Sequence, residues 1–228
     1  ERALSLDPGN VRALLHMGGY HFRQGQYPRA IEKLDAALAI EPDNVQALSS
    51  KAAVLAAMGN SVGAVAIYNR LLELDELAID CYDKIIDLSP RDPDVHNRKG
   101  VALNKLERYQ EAVEEFDRAL ELKPDMVVAV VHKGLALALM DRHQEAVETF
   151  DRALELRGDD PFIWEQRGHS QYRLKQYRES ADSYTESLRI KSDNVKIWIM
   201  KGMSLHMAGE YEAACGSYDM ALTLEPEN

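Results

Sequence analysis

Small residues recur at a fixed interval along most of this chain, and that interval constrains the fold more than any other feature. One row recurs every thirty-four positions outside a single irregular interval, and it consists of Ala30, Ala64, Ala112, Ala146, Ser180 and Ala214. A second row lies twelve positions upstream and consists of Gly18, Ala52, Gly100, Gly134, Gly168 and Gly202. A repeat of this length with two helical halves is typical of a solenoid, in which each unit buries its apolar face against its neighbours. Such a chain displays a long surface rather than a catalytic pocket.

The unit that covers residues 127–160 shows how each repeat is built. Residues 127 to about 140 predict a first helix, and residues 144 to 156 predict a second helix with apolar side chains at helical spacing. Gly134 lets the two helices approach closely, and Phe150 supplies the aromatic mass that fills the seam between units. The predicted fold class is therefore all-α, an α-solenoid of helix-turn-helix repeats.

Two kinds of residue mark the predicted helix ends. Proline cannot continue the backbone hydrogen-bond ladder, so a proline closes a helix, and asparagine is a favoured residue at a helix start. Second helices are expected to end before Pro8, Pro42, Pro90, Pro124 and Pro226. The Asp-Asn dipeptides at 43–44 and 193–194 are expected to begin the next helices.

These residues resemble the tetratricopeptide repeat family. Trp164 and Trp198 take the opening aromatic place, and Gly168 and Gly202 follow four residues later. The later places hold Leu103, Leu137, Ala112, Ala146, Phe116, Phe150, Ala119 and Ala153, whereas Gly158 and Ser192 replace the usual proline. The resemblance implies a right-handed superhelix whose first helices line a concave groove that holds peptides or partner segments.

One interval breaks the repeat. Ala64 and Ala78 begin near-duplicate segments only fourteen positions apart. In ordinary stacking Leu74 would have to reach Ala78 across roughly 18 Å, whereas four residue steps span at most about 14 Å. Either residues are missing between Asp75 and Glu76, or the two segments are fused into one helix over about 62–88. For the chain as printed, we predict the long helix.

This irregular helix sets the predicted domain organisation. Residues 1–10 would end a truncated repeat, residues 11–92 would hold the N-terminal units with the long helix, and residues 93–228 would hold four further units. A fused helix would leave apolar faces uncovered where a first helix belongs, and a second copy of the chain could cover them. The hypothesis that follows is a homodimer.

The resemblance also implies which residues face the groove. In the family the second, fifth, sixth, ninth, twelfth and thirteenth places of each unit point to the concave side. From these places we select Asn97, Arg98, Val101, Asn104, Val128, Val131, His132, Leu135, Leu139, Gln166, His169, Tyr172, Arg173, Ile199, Met200, Met203 and Met207. The alternative is that these side chains face a neighbouring turn of the superhelix, a capping helix or another copy.

The groove residues indicate the kind of partner. Some members of the family grip a C-terminal carboxylate with lysine at a fifth place and asparagine at a ninth place. No fifth place here is lysine and no ninth place is asparagine, so that mode of binding is not expected. An apolar or amphipathic helix suits Val131, Leu135 and Met203 better, and methionine adapts to varied partners.

The overall charge and the cysteines exclude several other classes of partner. A formal net charge of -11 argues against nucleic acid, which demands clustered lysine and arginine, and against anionic membranes. Cys81 and Cys215 resemble neither a disulfide framework nor a metal site, so we expect buried free thiols in a reducing, cytoplasmic compartment. The chain begins in mid-repeat without methionine, and we expect it to be a fragment.

No arrangement of residues points to catalysis. His132, His169 and His206 are evenly spaced, one repeat plus three positions apart, and stacked helices would hold them about 10 Å from one another, too far for one zinc ion. We expect no enzyme activity, no metal and no cofactor. The leading hypothesis is a non-enzymatic protein-interaction scaffold that binds a peptide or an amphipathic helix. The alternatives are an accessory arm of a larger enzyme, such as a glycosyltransferase, or of a regulator, and a purely structural spacer.

Overall fold

The computed structural model of the protein describes residues 9–225, and this part of the chain contains thirteen α-helices and no strand. The helices are α1 (Val11–Arg23), α2 (Tyr27–Ile40), α3 (Val45–Ala57), α4 (Ser61–Leu74), α5 (Ile79–Leu88), α6 (Pro93–Lys105), α7 (Tyr109–Leu122), α8 (Val127–Leu139), α9 (His143–Leu156), α10 (Pro161–Arg173), α11 (Tyr177–Ile190), α12 (Val195–Met207) and α13 (Tyr211–Leu224). The predicted all-α class is confirmed.

The chain divides into two compact units after Leu106. The first unit contains α1 to α6 and the second contains α7 to α13, and within each unit consecutive helices pack against one another. This boundary differs from the one expected at residue 92, because α6 groups with the helices that precede it. The predicted end of a truncated repeat falls largely on residues 1–8, which lie outside the described residues.

The helix ends follow the expected chemistry. The side chains of Asn44 and Asn194 accept hydrogen bonds from the backbone N–H groups of Ala47 (2.9 Å) and Ile197 (3.4 Å), as helix caps do. Helix α2 ends two residues before Pro42, and α5 and α7 end at the same distance before their prolines. Pro8 and Pro226 lie outside the described residues.

A left-handed backbone conformation marks the turn from each first helix to its second helix. The described residues with a positive φ are Gly25, Gly59, Glu107, Asp141, Lys175 and Gly209. Successive members are thirty-four positions apart except for Gly59 and Glu107, which are forty-eight positions apart. The interval between Gly59 and Glu107 is therefore fourteen positions longer than the others, and these extra positions contain no further turn of this kind.

Gly134, Gly168 and Gly202 of the second row each provide the space for an aromatic ring of the same repeat, whereas Gly18 faces Leu34. A Cβ atom on Gly134 would lie 2.6 Å from Phe150 Cε1, and a Cβ atom on Gly202 would lie 2.5 Å from Tyr218 Cε1. Real Cβ atoms do not approach carbon this closely, so only glycine fits opposite these rings. The aromatic side chain of each of these second helices thus packs against the first helix of the same repeat.

The single helix predicted over about 62–88 is wrong. Helix α4 ends at Leu74 and α5 begins at Ile79, with four residues between them. Asp75 ends α4, since its backbone is extended (φ -144°, ψ 96°) and its carboxylate accepts the N–H of Leu77 at 3.0 Å. The N–H of Ala78 then bonds to the carbonyl of Asp75 at 3.2 Å, which closes a turn. An aspartate that binds nearby backbone N–H groups competes with helix continuation.

Burial explains why the chain turns here. Tyr68 of α4 and Tyr82 of α5 are both buried in one apolar core that also includes Ile85 and residues of α3 and α6. One straight helix would carry these two rings roughly 20 Å apart along its axis. A turn brings both into the same core, and the apolar area removed from water favours it.

The two cysteines are less buried than expected. Cys81 is half-buried in α5, where burial raises the pKa of its thiol, and Cys215 is exposed on α13. The residue equivalent to Cys215 in α11 is Ala181, which is buried against Leu205 of α12. No described helix covers α13 in the same way, and Cys215 is exposed for that reason.

Candidate functional site

The predicted groove residues lie on the first helices of both units. Asn97, Arg98, Val101 and Asn104 belong to α6 in the first unit, and the other thirteen belong to α8, α10 and α12 in the second unit. None of the seventeen is buried, although the Oδ1 atom of Asn104 is buried and has no hydrogen-bond partner among the described residues.

Helix α8 carries one apolar part of the surface in the second unit. Its buried residues, which include Val130 and Leu137, contact the helices on either side, so the opposite face is free. On that face Val128 is 46% exposed and Leu139 is 59% exposed, while Leu135 is half-buried. Aliphatic side chains on this face therefore remain in contact with solvent.

Helix α12 repeats this apolar character. Met203 and Met207 are 39% and 50% exposed, and Met200 is half-buried. Ile199 also lines a cavity of about 220 Å³ between α12 and α13, together with Tyr218. The thirteen predicted groove residues on α8, α10 and α12 together form one surface, which we call the first-helix face of the second unit.

Helix α10 places polar and aromatic groups between the two apolar stretches. The ring of His169 lies edge-on to Tyr184, with 5.6 Å between the ring centroids. Tyr172 packs edge-on against Tyr177 at 5.3 Å, and Arg173 pairs with Asp141 at 2.8 Å. Helices α8 and α10 contact each other directly, so their faces are adjacent.

Burial favours the uncharged form of two histidines of this face. Burial lowers the pKa of both His132 and His169 below the ordinary value for histidine. His132 stacks near Phe116, with 5.7 Å between the ring centroids. The lowered pKa favours the uncharged form of both rings, which suits an apolar ligand.

The first unit contains a pocket that the sequence did not predict. It has a volume of about 260 Å³ and lies among α4, the connection after α4, α5 and α6, with the lining residues Leu72, Glu76, Tyr82, Asn97, Arg98, Val101, Ala102 and Lys105. We call it the α5 pocket. It brings Asn97, Arg98 and Val101 together with residues of the irregular segment. The only sequence signal for it was the shortened interval between Ala64 and Ala78.

Ionic contacts in and around the α5 pocket fix its charged side chains. Lys105 pairs with Glu76 at 2.6 Å. Arg98 donates to Asn69 Oδ1 at 3.0 Å, and its guanidinium lies 5.6 Å from the centroid of the Tyr82 ring. Burial raises the pKa of the Tyr82 phenol, an effect that the nearby Arg98 opposes. The hydroxyl of Tyr82 donates to the carbonyl of Glu76 at 3.2 Å.

A further set of basic side chains forms ion pairs between neighbouring helices. Each lies on a first helix and contacts an aspartate on the helix before it, sixteen positions upstream. The pairs are Lys51–Asp35 (2.6 Å), Lys99–Asp83 (2.7 Å), Lys133–Asp117 (2.6 Å) and Arg167–Asp151 (2.6 Å). Sequence reasoning missed this recurring contact, although the regular spacing of opposite charges was its signal.

Sequence models described as tetratricopeptide repeat match residues 21–78, 93–126, 128–160 and 166–228. Together these matches cover most of the chain. The chain belongs to the tetratricopeptide repeat family. Helix α5 lies between the matches that end at residue 78 and begin at residue 93, so the family pattern stops at the irregular segment.

Several solved structures share this fold. MamA from Desulfovibrio magneticus RS-1 is 17% identical, with 82% of this chain and 97% of that chain covered and a TM-score of 0.61. YrrB is 17% identical, with 86% and 93% covered and a TM-score of 0.59. The pilF protein of Pseudomonas aeruginosa is 20% identical, with 96% and 93% covered and a TM-score of 0.55. No curated protein matches this chain in sequence at a significant level.

Two kinds of feature are absent from residues 9–225. No three histidine, cysteine, aspartate or glutamate side chains in this range are placed to hold a metal ion. No helix in the same range combines the length and the apolar character needed to cross a membrane.

Proposed function

We propose that this tetratricopeptide repeat protein is a non-enzymatic scaffold that binds a peptide or an amphipathic helix of a partner on the first-helix face of the second unit. The apolar side of the bound segment would lie on α8 and α12, and its polar side would face solvent. Tyr172 and His169 would contact it between these two helices.

The observation that carries this proposal is the set of exposed apolar side chains on α8 and α12. Leu139 and Met207 are each at least half exposed, which removes them from the core and leaves them in water. Burial of such a set against a partner is favourable by about 25 cal/mol per Å² of apolar surface. Methionine side chains also adapt to partners of different shape.

Two further facts support a peptide or protein partner. The solved structure of YrrB is described as that of a tetratricopeptide repeat protein with an unusual peptide-binding site, and it shares this fold. The net charge of -11 favours a partner segment that also carries basic residues, because opposite charges steer association.

The proposal can be tested with a fluorescein-labelled model helix that has leucines on one side and lysines on the other. Fluorescence anisotropy should show binding with a Kd on the order of micromolar. Replacing Val131, Leu135 and Leu139 together by Asp should abolish this binding, because charge on this face cannot be buried against leucine.

A matched control separates the site from general surface charge. Leu156, on second helix α9, is 43% exposed, so Leu156→Asp adds a charge at a similarly exposed leucine outside the first-helix face. It should leave the Kd unchanged. If the triple variant binds as tightly as the natural protein while its circular dichroism is unchanged, the site is elsewhere.

The homodimer hypothesis loses its original ground, because α4 and α5 turn into one core instead of forming a long uncovered helix. Self-association stays a prediction, with the apolar first-helix face as the surface available for it. Light scattering coupled to size exclusion tests it, since one chain has a mass of 25.7 kDa. A particle of twice that mass that the triple Asp variant disrupts would support pairing through this face.

A further inference from the structure

The α5 pocket holds a cation that no carboxylate neutralises. Its charged groups are Arg98, Lys105 and Glu76, and Lys105 is already paired with Glu76 at 2.6 Å. Arg98 donates to the neutral amide of Asn69, and no aspartate or glutamate in the described part of the chain pairs with it. The pocket is therefore locally positive on a chain with a net charge of -11.

The position of Arg98 leaves donors available to a ligand. One Nη1 hydrogen bond goes to Asn69 and a further side-chain hydrogen bond joins Arg98 to Tyr82, whereas a guanidinium carries five N–H donors. The side of the guanidinium that faces Tyr82 is fixed by the ring, 5.6 Å away. An arginine held in one orientation loses little freedom when it binds a carboxylate with two parallel hydrogen bonds.

The pocket already shows that a carboxylate on a side chain fits there. Glu76 reaches Lys105 from the connection after α4, and Arg98 lies seven residues before Lys105 on the same helix. Seven residues are two helical turns, so the two cations lie on nearly the same side of α6 about 10 Å apart. Val101 lies between them and provides an apolar floor.

We propose that the α5 pocket binds an acidic side chain of a partner peptide, with Arg98 as the group that receives the carboxylate. An apolar side chain next to the acidic residue would lie on Val101 and Leu72. One unpaired cation matches one carboxylate, whereas a phosphate group would bring more negative charge than the pocket can balance. This site lies in the first unit and does not depend on the function proposed for the second unit.

The test uses the whole protein and a pair of short peptides with blocked ends. The first is acetylated Ala-Glu-Leu-Glu-Ala amide, and the second has glutamine in place of both glutamates. Titration of the ¹⁵N-labelled protein, followed by NMR, should shift the Nε–Hε signal of Arg98 with the acidic peptide only. The affinity should fall as salt is added, because the attraction is between charges.

Three variants make the assignment specific. Arg98→Gln should weaken binding by about ten-fold, since it removes a charge-assisted pair. Arg70→Gln is the matched control, because Arg70 is an arginine of the same unit that pairs with Asp43 away from the pocket. Glu76→Gln should strengthen binding by about three-fold or more, since it releases Lys105 for the ligand.

The gain expected from Glu76→Gln keeps the test decisive even if another variant folds poorly, because misfolding does not strengthen binding. Equal binding of the glutamate and glutamine peptides would overturn the proposal. So would a loss of binding in Arg70→Gln equal to that in Arg98→Gln. A preference for a peptide with no acidic side chain but a free C-terminal carboxylate would overturn the assignment to a side chain.

Discussion

The regular repeats of α8 to α11 and the irregular region of α3 to α6 build their cores from different parts. In the regular repeats a glycine faces an aromatic ring, as Gly134 faces Phe150. In the irregular region the equivalent place holds Ala52, which shares one core with Tyr68 and Tyr82. One region thus packs each ring against its own first helix, and the other gathers two rings from successive helices.

The two regions nevertheless share the contact between a second helix and the first helix that follows it. Asp83 of α5 pairs with Lys99 of α6 as Asp117 pairs with Lys133 in the second unit. Helix α5 therefore makes the contact with α6 that a second helix makes with the next first helix, although α5 has no first helix of its own. Because each element of a repeat array contacts mainly its neighbours, an extra helix is tolerated where these neighbour contacts persist.

The largest expected difference between the regions concerns the glycine. Gly134→Ala would place a Cβ atom 2.6 Å from the fully buried Phe150 ring, so we expect the free energy of unfolding to fall by about 1–3 kcal/mol. Ala52→Gly adds no clash and should cost about 1–2 kcal/mol, because it loses helix propensity and the burial of one methyl group. Urea unfolding followed by circular dichroism measures both. Equal small losses would show that the ring can move aside.

The next contrast concerns two tyrosine hydroxyl groups and should change sign between the regions. The Tyr184 hydroxyl is buried without a hydrogen-bond partner among the described residues. Burial also raises the pKa of this phenol. Tyr184→Phe should therefore raise the free energy of unfolding by about 1 kcal/mol.

Tyr82→Phe is the counterpart in the irregular region. It removes the hydrogen bond to the Glu76 carbonyl, so the free energy of unfolding should fall by about 0.5–1.5 kcal/mol. The same urea titrations compare the two variants. If both variants lose stability, the Tyr184 hydroxyl has a partner, and the polar character of the two cores is the same.

A smaller effect separates the connections of the two regions. Lys175 has a φ of 62°, where Gly25, Gly59 and Gly209 occupy the equivalent turns. Lys175→Gly should raise the free energy of unfolding by about 0.5–1 kcal/mol, because glycine relieves the left-handed strain. Ala78, in the irregular connection, has a φ of -71°, so Ala78→Gly should lower stability by a similar amount. Thermal unfolding should show midpoints that move in opposite directions.

The same difference between the regions explains which helices could be predicted from the sequence. Predicted helices at about 127–140 and 144–156 correspond to Val127–Leu139 and His143–Leu156, because periodicity, small residues and turns agree there. The prediction over about 62–88 relied on the absence of glycine and proline. It overlooked Asp75, whose carboxylate ends a helix by binding a backbone N–H, and the gain from burying both tyrosines together.

The candidate sites differ in the same way. Leu139 and Met207 are accessible where the repeat places them, because one helix face suffices to locate them. The α5 pocket could not be predicted, because Leu72, Glu76 and Tyr82 meet α6 only after the chain turns at Asp75. A site assembled from an irregular segment requires the path of the backbone, which periodicity does not supply.

The smallest expected effect tests whether α5 functions as a second helix. Lys99→Met and Lys133→Met each keep an apolar stem but remove an ion pair to an aspartate that is about half exposed. Each should lower the free energy of unfolding by about 0.5 kcal/mol, within the range of partly exposed pairs. Lys33→Met is the control, since Lys33 pairs with its neighbour Glu32 on the same helix at 2.8 Å and joins no two helices.

Equal losses at Lys99 and Lys133 would mean that α5 supports α6 as α7 supports α8. A loss at Lys133 alone would mean that α5 is a connection that fills space, and that the packing of α6 depends on α4 instead.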